Sequence, residues 1–335
     1  MMPMAEEARF CCNRNVAARP AAPPHTSGRL NTNAPASLPP STIFLLGPTA
    51  VGKSEIAVAL AERVNGEIVG ADAFQIYAGL GLLSAKPSAD LLRRVPHHLI
   101  GEIPLAQSFD VAQYRALALP RAHEIAARGR IPIVCGGAGM YVRALTHGLA
   151  ETPPADPVLR AELEKEPLPA LVARLRALDP ANTVDEKNPR RVVRALEVCL
   201  VSRRPYSSFR GEWTSQPSHR GAILTRSRES LHARIAARTE AMFAAGVIEE
   251  VAAVSDLGPT AGQMLGLREI RDHLAGRITR AECQAAVALA TRQYAKRQFT
   301  WFRREAGYAW VDLDTVGDSV IRILEELAVN PGDKA

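Results

Sequence analysis

The stretch GPTAVGKS, residues 47–54, decides how the rest of the chain is read. Gly47, Gly52, Lys53 and Ser54 satisfy the pattern G-x-x-x-x-G-K-[ST], and Pro48, Thr49, Ala50 and Val51 complete the loop. The apolar run STIFLL (41–46) before it reads as a buried parallel strand, and SEIAVALAERV (54–64) after it as an amphipathic helix. A strand before and a helix after is the context this motif requires. Glycines let the backbone wrap so that successive amides point at phosphate oxygens, and the helix N-terminus adds partial positive charge. Lys53 adds a full charge, and the Ser54 hydroxyl is placed to hold Mg2+. The pattern specifies a diphosphate or a triphosphate, not a nucleotide.

Outward from the loop, further strand signals are GEIVGAD (66–72), HHLIGEI (97–103), IPIVCGG (131–137), GAILTR (221–226) and YAWVDLD (308–314). RALALPRAHEIAARGR (115–130) reads as a helix kinked or interrupted at Pro120. Strands alternating with helices imply an α/β fold, a P-loop NTPase-like parallel sheet with helices on both faces. This core is expected over residues 41–150 and 206–330. Residues 151–205, opened by ETPPADP, are rich in Leu, Ala and Arg without a strand signal and read as a helical insertion. Residues 1–40, rich in Pro, Ala, Ser and Asn, are expected to form a disordered, dispensable tail. Its Arg and Ser content admits a transit peptide, but Glu6, Glu7 and the lack of an apolar face argue against one.

The 335 residues are 47% hydrophobic and 23% charged, and no run approaches the roughly 20 apolar residues of a membrane span. Lys and Arg outnumber Asp and Glu by 41 to 35, a net +6 that permits a polyanionic partner without proving one. Cys11, Cys12, Cys135, Cys199 and Cys283 are odd in number and wrongly spaced for zinc, as expected of a reduced cytosolic protein with buried thiols. Nothing in the sequence demands more than a monomer.

Ligands in open parallel sheets bind beyond the carboxyl ends of the strands. Asp72 ends the strand after the loop helix, where it serves as a metal ligand, as a base or simply as a cap. CGGAGMY (135–141) ends another strand with glycines that let backbone approach a ligand. No long apolar strand ending in Asp follows residue 100, apart from the weak YAWVDLD, so an ordinary ATPase is poorly supported.

Several stretches together resemble the tRNA dimethylallyltransferases, also called isopentenyl-tRNA transferases. Besides the loop they are GADAFQIYAGLGLLSAKP (70–87), PHHLIG (96–101), GGAGMYVRAL (136–145), NPRRVVRALEV (188–198), LHARIAARTEAMFAAGVIEEV (231–251) and TRQYAKRQFTWFR (291–303). The resemblance implies transfer of a dimethylallyl group from dimethylallyl diphosphate to N6 of the adenosine immediately 3′ of a tRNA anticodon, releasing pyrophosphate with Mg2+. The phosphate loop then holds the prenyl donor, and the matching base is Asp72. Asp72, Ala73, Phe74 and Gln75 match residues that contact the tRNA anticodon stem-loop around the flipped adenine. Arg190, Arg191, Val192, Val193 and Arg194 match a tRNA-contacting stretch, and Ala138 and Arg160 match further contacts.

On this reading Lys53, Ser54, the loop amides and Arg228 absorb the charge of the leaving diphosphate, while Arg234 and Arg238 stay open. The chain departs from the family at Ala73 (usually Ser), at Leu83–Ser84 in place of Gly-Thr, and at Ala138 (usually Thr), which points to slower turnover or to water filling the gaps. Arg292, Lys296, Arg297, Arg303 and Arg304 interleave with aromatics in a helix opened by a Thr279–Glu282 capping box. Cations with stacking rings suit single-stranded RNA, with Trp301 expected to pack, and His97 and His98 are expected to be structural. The alternatives are a P-loop small-molecule kinase, a prenyltransferase acting on free adenine nucleotides, and a non-catalytic RNA-binding nucleotide switch.

Overall fold

Along β1 (Ile43–Leu46), Ile43 and Leu45 pack on one face of a sheet and Phe44 and Leu46 on the other. The same two-sided burial recurs at Ile68 and Val69 of β2 (Gly66–Ala71) and at Ile133 and Val134 of β4 (Ile131–Gly136). Strands covered on both faces are mostly apolar, which is why these segments carry no polar alternation; Glu67 of β2 is buried among partners, His98 and Arg128. With β3 (His97–His98), β5 (Arg220–Thr225) and β6 (Ala309–Asp312) they form one parallel sheet in the order β3-β2-β4-β1-β5-β6. The computed structural model describes residues 37–209, 220–316, 321 and 324. The expected tail falls largely outside these residues. Its last four, 37–40, do not belong to a tail: Leu38 packs on the core, Pro39 is buried, and the Ser37 carbonyl accepts a hydrogen bond from His123.

One face of the sheet is covered by α1 (Lys53–Val64), through Ala57, Val58, Leu60 and Ala61. The other is covered by α3 (Val111–Ala127), α4 (Gly139–Thr146) and residues of later helices. The short α2 (Ala89–Arg94) precedes β3. α3 continues through Pro120 as one element. Burial of Ala118, Leu119, Ala122 and Ile125 on either side of the proline outweighs the one backbone hydrogen bond it removes. β3 keeps two residues of the longer run, and its histidines are structural: His97 Nδ1 lies 2.9 Å from the Val95 carbonyl and His98 Nε2 2.6 Å from the buried Glu67 carboxylate.

Between α4 and β5 lie α5 (Pro157–Leu163), α6 (Leu168–Leu178) and α7 (Pro189–Ser202), packed on their own cluster around Leu163, Leu171, Leu175, Val192 and Leu196. After β5 come α8 (Arg228–Ala244), α9 (Val247–Ala252), α10 (Leu267–Leu274), α11 (Arg280–Phe302) and, past β6, α12 (Leu313–Val316). The capping box Thr279–Glu282 opens α11 as expected.

Within the three-helix cluster, Glu197 is completely buried and accepts hydrogen bonds from Arg160 (2.7 Å), Arg194 (2.6 Å) and the Asp156 amide (2.8 Å). Burial alone raises its pKa, but these donors outweigh burial and hold it below the ordinary carboxylate value. Because the folded pKa is depressed, the stabilisation is fully present above the unfolded pKa and is lost as pH falls through the folded one. Glu197→Ala leaves two guanidinium groups facing an apolar hole. It is expected to cost α5–α7 about 3 kcal/mol, read by hydrogen exchange of their amides at pH 7. The loss should shrink in acid; an unchanged exchange pattern excludes the anchor.

Candidate active site

Leu46 and Ala71 both sit level with Gly136 on the intervening strand β4. The phosphate loop and Asp72 therefore leave the same edge of the sheet, separated by two strand spacings, about 10 Å. They line one cleft of about 450 Å3, together with Cys135, Gly136 and Lys86. This placement is what chemistry between a bound phosphate and Asp72 requires.

The loop is held by cations on its carbonyl side. Lys53 Nζ donates to the carbonyls of Gly47 (2.9 Å) and Pro48 (2.7 Å), Arg234 Nε to that of Ala50 (2.8 Å), and Arg226 Nε to that of Val51 (3.0 Å). Arg238 Nη1 donates to the Thr49 hydroxyl at 3.0 Å. Ala50 adopts a left-handed backbone, φ 65°, a strain of about 1 kcal/mol that these contacts must over-determine. Burial lowers the pKa of Lys53, opposed by Cys135 and Asp72, and burial likewise lowers that of Arg238, opposed by Asp72. The Cys135 thiol is pushed up to about 11 by burial, against the pull of Lys53, which favours the thiol over the thiolate.

Arg228, expected at the diphosphate, does not line this cleft. It lines a neighbouring cavity of about 400 Å3 that also touches Pro48 of the loop, with Thr225, His232, Arg292, Lys296 and Phe299. Arg234 and Arg238, one turn apart on α8, line the cleft instead. Ile235, Thr239 and Met242 turn inward and fix the azimuth of α8. Six residues away from Arg234 is about 120° round a helix, which carries Arg228 off the cleft side.

Asp72 Oδ1 accepts from the amides of Phe74 (2.9 Å) and Gln75 (3.2 Å), so the residue does cap a turn. Its Oδ2 has no hydrogen-bond partner among the described residues, nor does the Ser54 hydroxyl, which lines the same cleft. Beyond Asp72 a small recess lined by Phe74, Leu83, Met242, Met264, Val287 and Tyr294 continues from the cleft. Burial and then Asp72 raise the Tyr294 pKa, which keeps its hydroxyl protonated.

The segment between Asp72 and α2 is tied to itself. The Gln75 amide donates to the carbonyl of Ala85 (2.8 Å) and, more weakly, to that of Ser84 (3.3 Å); Lys86 donates to those of Tyr77 and Gly79. Glu250 of α9 accepts from the amides of Leu82 and Leu83, both at 2.9 Å, a role nothing in the sequence marked. Two of the departures have local explanations, and nothing in the structure explains Ala73. Ser84 spends its hydroxyl on the Leu80 carbonyl (2.6 Å), and Leu83 is buried in the core. Ala138 is the N-cap of α4 without a side-chain bond, so the hydroxyl absent there is a helix cap. Trp301 packs as expected: a Cβ on Gly139 would fall 2.2 Å from its ring.

The expected RNA contacts divide. Val192 and Val193 are buried in the three-helix cluster, where residues of one apolar stripe must turn, so their side chains meet no RNA. Arg160 and Arg194 are committed to Glu197, with Arg194 also donating to the Pro153 carbonyl at 2.7 Å. Arg191 is exposed, and the exposed Arg190 reaches Gln263 at 2.6 Å. Arg292, Lys296 and Arg297 lie along one side of α11, bordering two adjoining cavities. Among the described residues no helix is long and apolar enough to cross a membrane, and no group of three or more His, Cys, Asp or Glu could hold a metal by itself.

Residues 75–305 match the family model described as IPP transferase. A protein named tRNA dimethylallyltransferase from Akkermansia muciniphila is 44% identical over 266 residues, 79% of this chain and 90% of that one. Another of the same name, from Anaeromyxobacter sp. (strain K), is 43% identical over 280 residues, 80% and 92% of the two chains. The crystal structure of the full-length tRNA isopentenylpyrophosphate transferase from Bacillus halodurans superimposes with a TM-score of 0.63 at 34% identity, covering 87% of this chain and 98% of that one. With more than half its length matched by one family model, and relatives above 40% identity matched over nearly their whole length, this chain belongs to the IPP transferase family.

Proposed function

We propose that the protein transfers a dimethylallyl group from dimethylallyl diphosphate to tRNA, at N6 of the adenine 3′ of the anticodon. The observation that carries this is the shared cleft. A phosphate loop and a carboxylate with one oxygen unpartnered among the described residues line one cleft, from strands whose ends lie about 10 Å apart, with Arg234 and Arg238 in the same lining. A kinase would need that carboxylate for its metal or its acceptor; a prenyl transfer needs it for a proton. The names of the relatives favour the second.

The donor diphosphate lies along residues 47–54, with Lys53, Arg234 and Arg238 opposing the negative charge that grows as the C–O bond breaks. The exocyclic amine attacks the first prenyl carbon. Its proton becomes acidic only as the C–N bond forms, and Asp72 Oδ2 takes it then, so an ordinary carboxylate suffices. The target base must leave its stack to reach the recess, which an already single-stranded anticodon loop makes cheap. Exposed Arg190, Arg191, Lys296 and Arg297 are the cations on which we place RNA phosphates, and residues 151–205 are the insertion that presents the first two.

The donor set fits Mg2+ held chiefly by the diphosphate: Ser54 Oγ is a hard ligand on the loop, and a hydrated, phosphate-bound ion needs few others from protein, which leaves Asp72 Oδ2 for the proton. When bound, Mg2+ would neutralise charge on the departing diphosphate. The test is incubation with unmodified tRNA and either labelled dimethylallyl diphosphate or labelled ATP. Label entering tRNA from the prenyl donor alone is the expected result; phosphate transfer from ATP identifies a kinase, and binding without transfer a switch.

A further inference from the structure

Gln298 lies on the inward face of α11 and is 5% exposed. Its side-chain amide joins two loops that the sheet alone would leave independent. Oε1 accepts from the Thr49 amide of the phosphate loop at 2.8 Å, and Nε2 donates to the Gly137 carbonyl beyond β4 at 2.9 Å. The three segments are in close contact there: a Cβ on Gly137 would fall 2.3 Å from Nε2 and 2.9 Å from the Gly47 carbonyl. Thr49 is thus gripped twice, by Gln298 at its amide and by Arg238 at its hydroxyl.

We infer that Gln298 is a positioning residue for the diphosphate donor, setting the phosphate loop against the β4–α4 loop. This rests on the reading that residues 47–54 hold the prenyl diphosphate. Burying an amide gains the fold little even when both its bonds are made, since water made them in the unfolded chain. An apolar side chain of the same length would pack this position as well. What an apolar side chain cannot supply is direction. With its N–H given to Gln298, Thr49 is withdrawn from the phosphate, and the path of the next residues, including the strained Ala50, is set.

The test uses the full chain as Gln298→Met, which removes both bonds, and Gln298→Glu, which keeps the acceptor for Thr49. Pyrophosphate is the binding probe, by calorimetry, alongside steady-state transfer to tRNA. Gln298→Met should melt close to wild type, bind pyrophosphate about ten-fold more weakly and raise KM for the prenyl donor about as much, with KM for tRNA unchanged. Gln298→Glu sets a carboxylate against the Gly137 carbonyl and near the anion, so it should bind pyrophosphate no better than Gln298→Met although the acceptor for Thr49 remains. A folded Gln298→Met with wild-type pyrophosphate affinity overturns the inference, as does unfolding of both variants, which makes the residue structural only. If wild-type protein itself binds no pyrophosphate, the reading of the loop fails and the inference with it; wild-type binding beside an unaffected variant refutes the inference alone.

Discussion

Asp72→Asn should lower the rate of dimethylallyl transfer by about a thousand-fold, the scale of a lost general base. Pyrophosphate affinity should hold or improve, because the substitution removes a negative charge from a cleft that must hold another. Asparagine is the informative replacement. Its Oδ1 can still accept from the amides of Phe74 and Gln75, so the turn leaving β2 survives while the basic oxygen is gone. Asp72→Ala removes both and should cost about 1 kcal/mol more in stability, the value of a lost cap. Single-turnover transfer with saturating tRNA, beside a thermal melt of each variant, separates the two roles. If Asp72→Asn transfers at the wild-type rate, the carboxylate is a cap and the proton goes elsewhere.

Lys53→Ala should lower kcat/KM for the prenyl donor by a factor of about 100 to 1000, the size of one lost electrostatic contact to a charge that grows in the transition state. Nζ stands 2.9 and 2.7 Å from two loop carbonyls, in a site where burial works against its charge. Nζ also ties two loop carbonyls, so the melting temperature should fall modestly, while the larger effect falls on the donor. Competition by pyrophosphate, followed with the same variant, reports the ground-state part of the effect. Retained kcat/KM would mean that the loop does not hold the donor.

The phosphate loop, its flanking strand and helix, and the sheet were legible because each is contiguous. Eight residues carry the loop geometry, and strands buried on both faces announce themselves as unbroken apolar runs, as IFLL does. Local rules reached their limits at two places. Pro120 reads as a kink or an interruption, and packing on both sides carries α3 through it as one element. Residues 37–40 read as the end of a tail, yet Leu38 and Pro39 find the core.

The site was half legible. Position at a strand end and resemblance together led to Asp72. Choosing among Arg228, Arg234 and Arg238 needed the azimuth of α8, which spacing along a helix leaves free until its inward residues meet the core. Likewise the basic stretch 190–194 could not show that Val192 and Val193 turn inward and that Arg194 serves a buried carboxylate.

By itself the amino-acid order determined the phosphate-loop pattern, the parallel α/β class and the presence of a helical segment between strands, because each follows from steric and hydrogen-bonding rules acting within a few residues. Tertiary structure alone decided which cations hold the loop and that Gln298, 249 positions away from Thr49, joins it to the neighbouring strand end. Such contacts depend on how whole helices are rotated and docked, and that is set by the sum of many weak apolar contacts rather than by any local pattern.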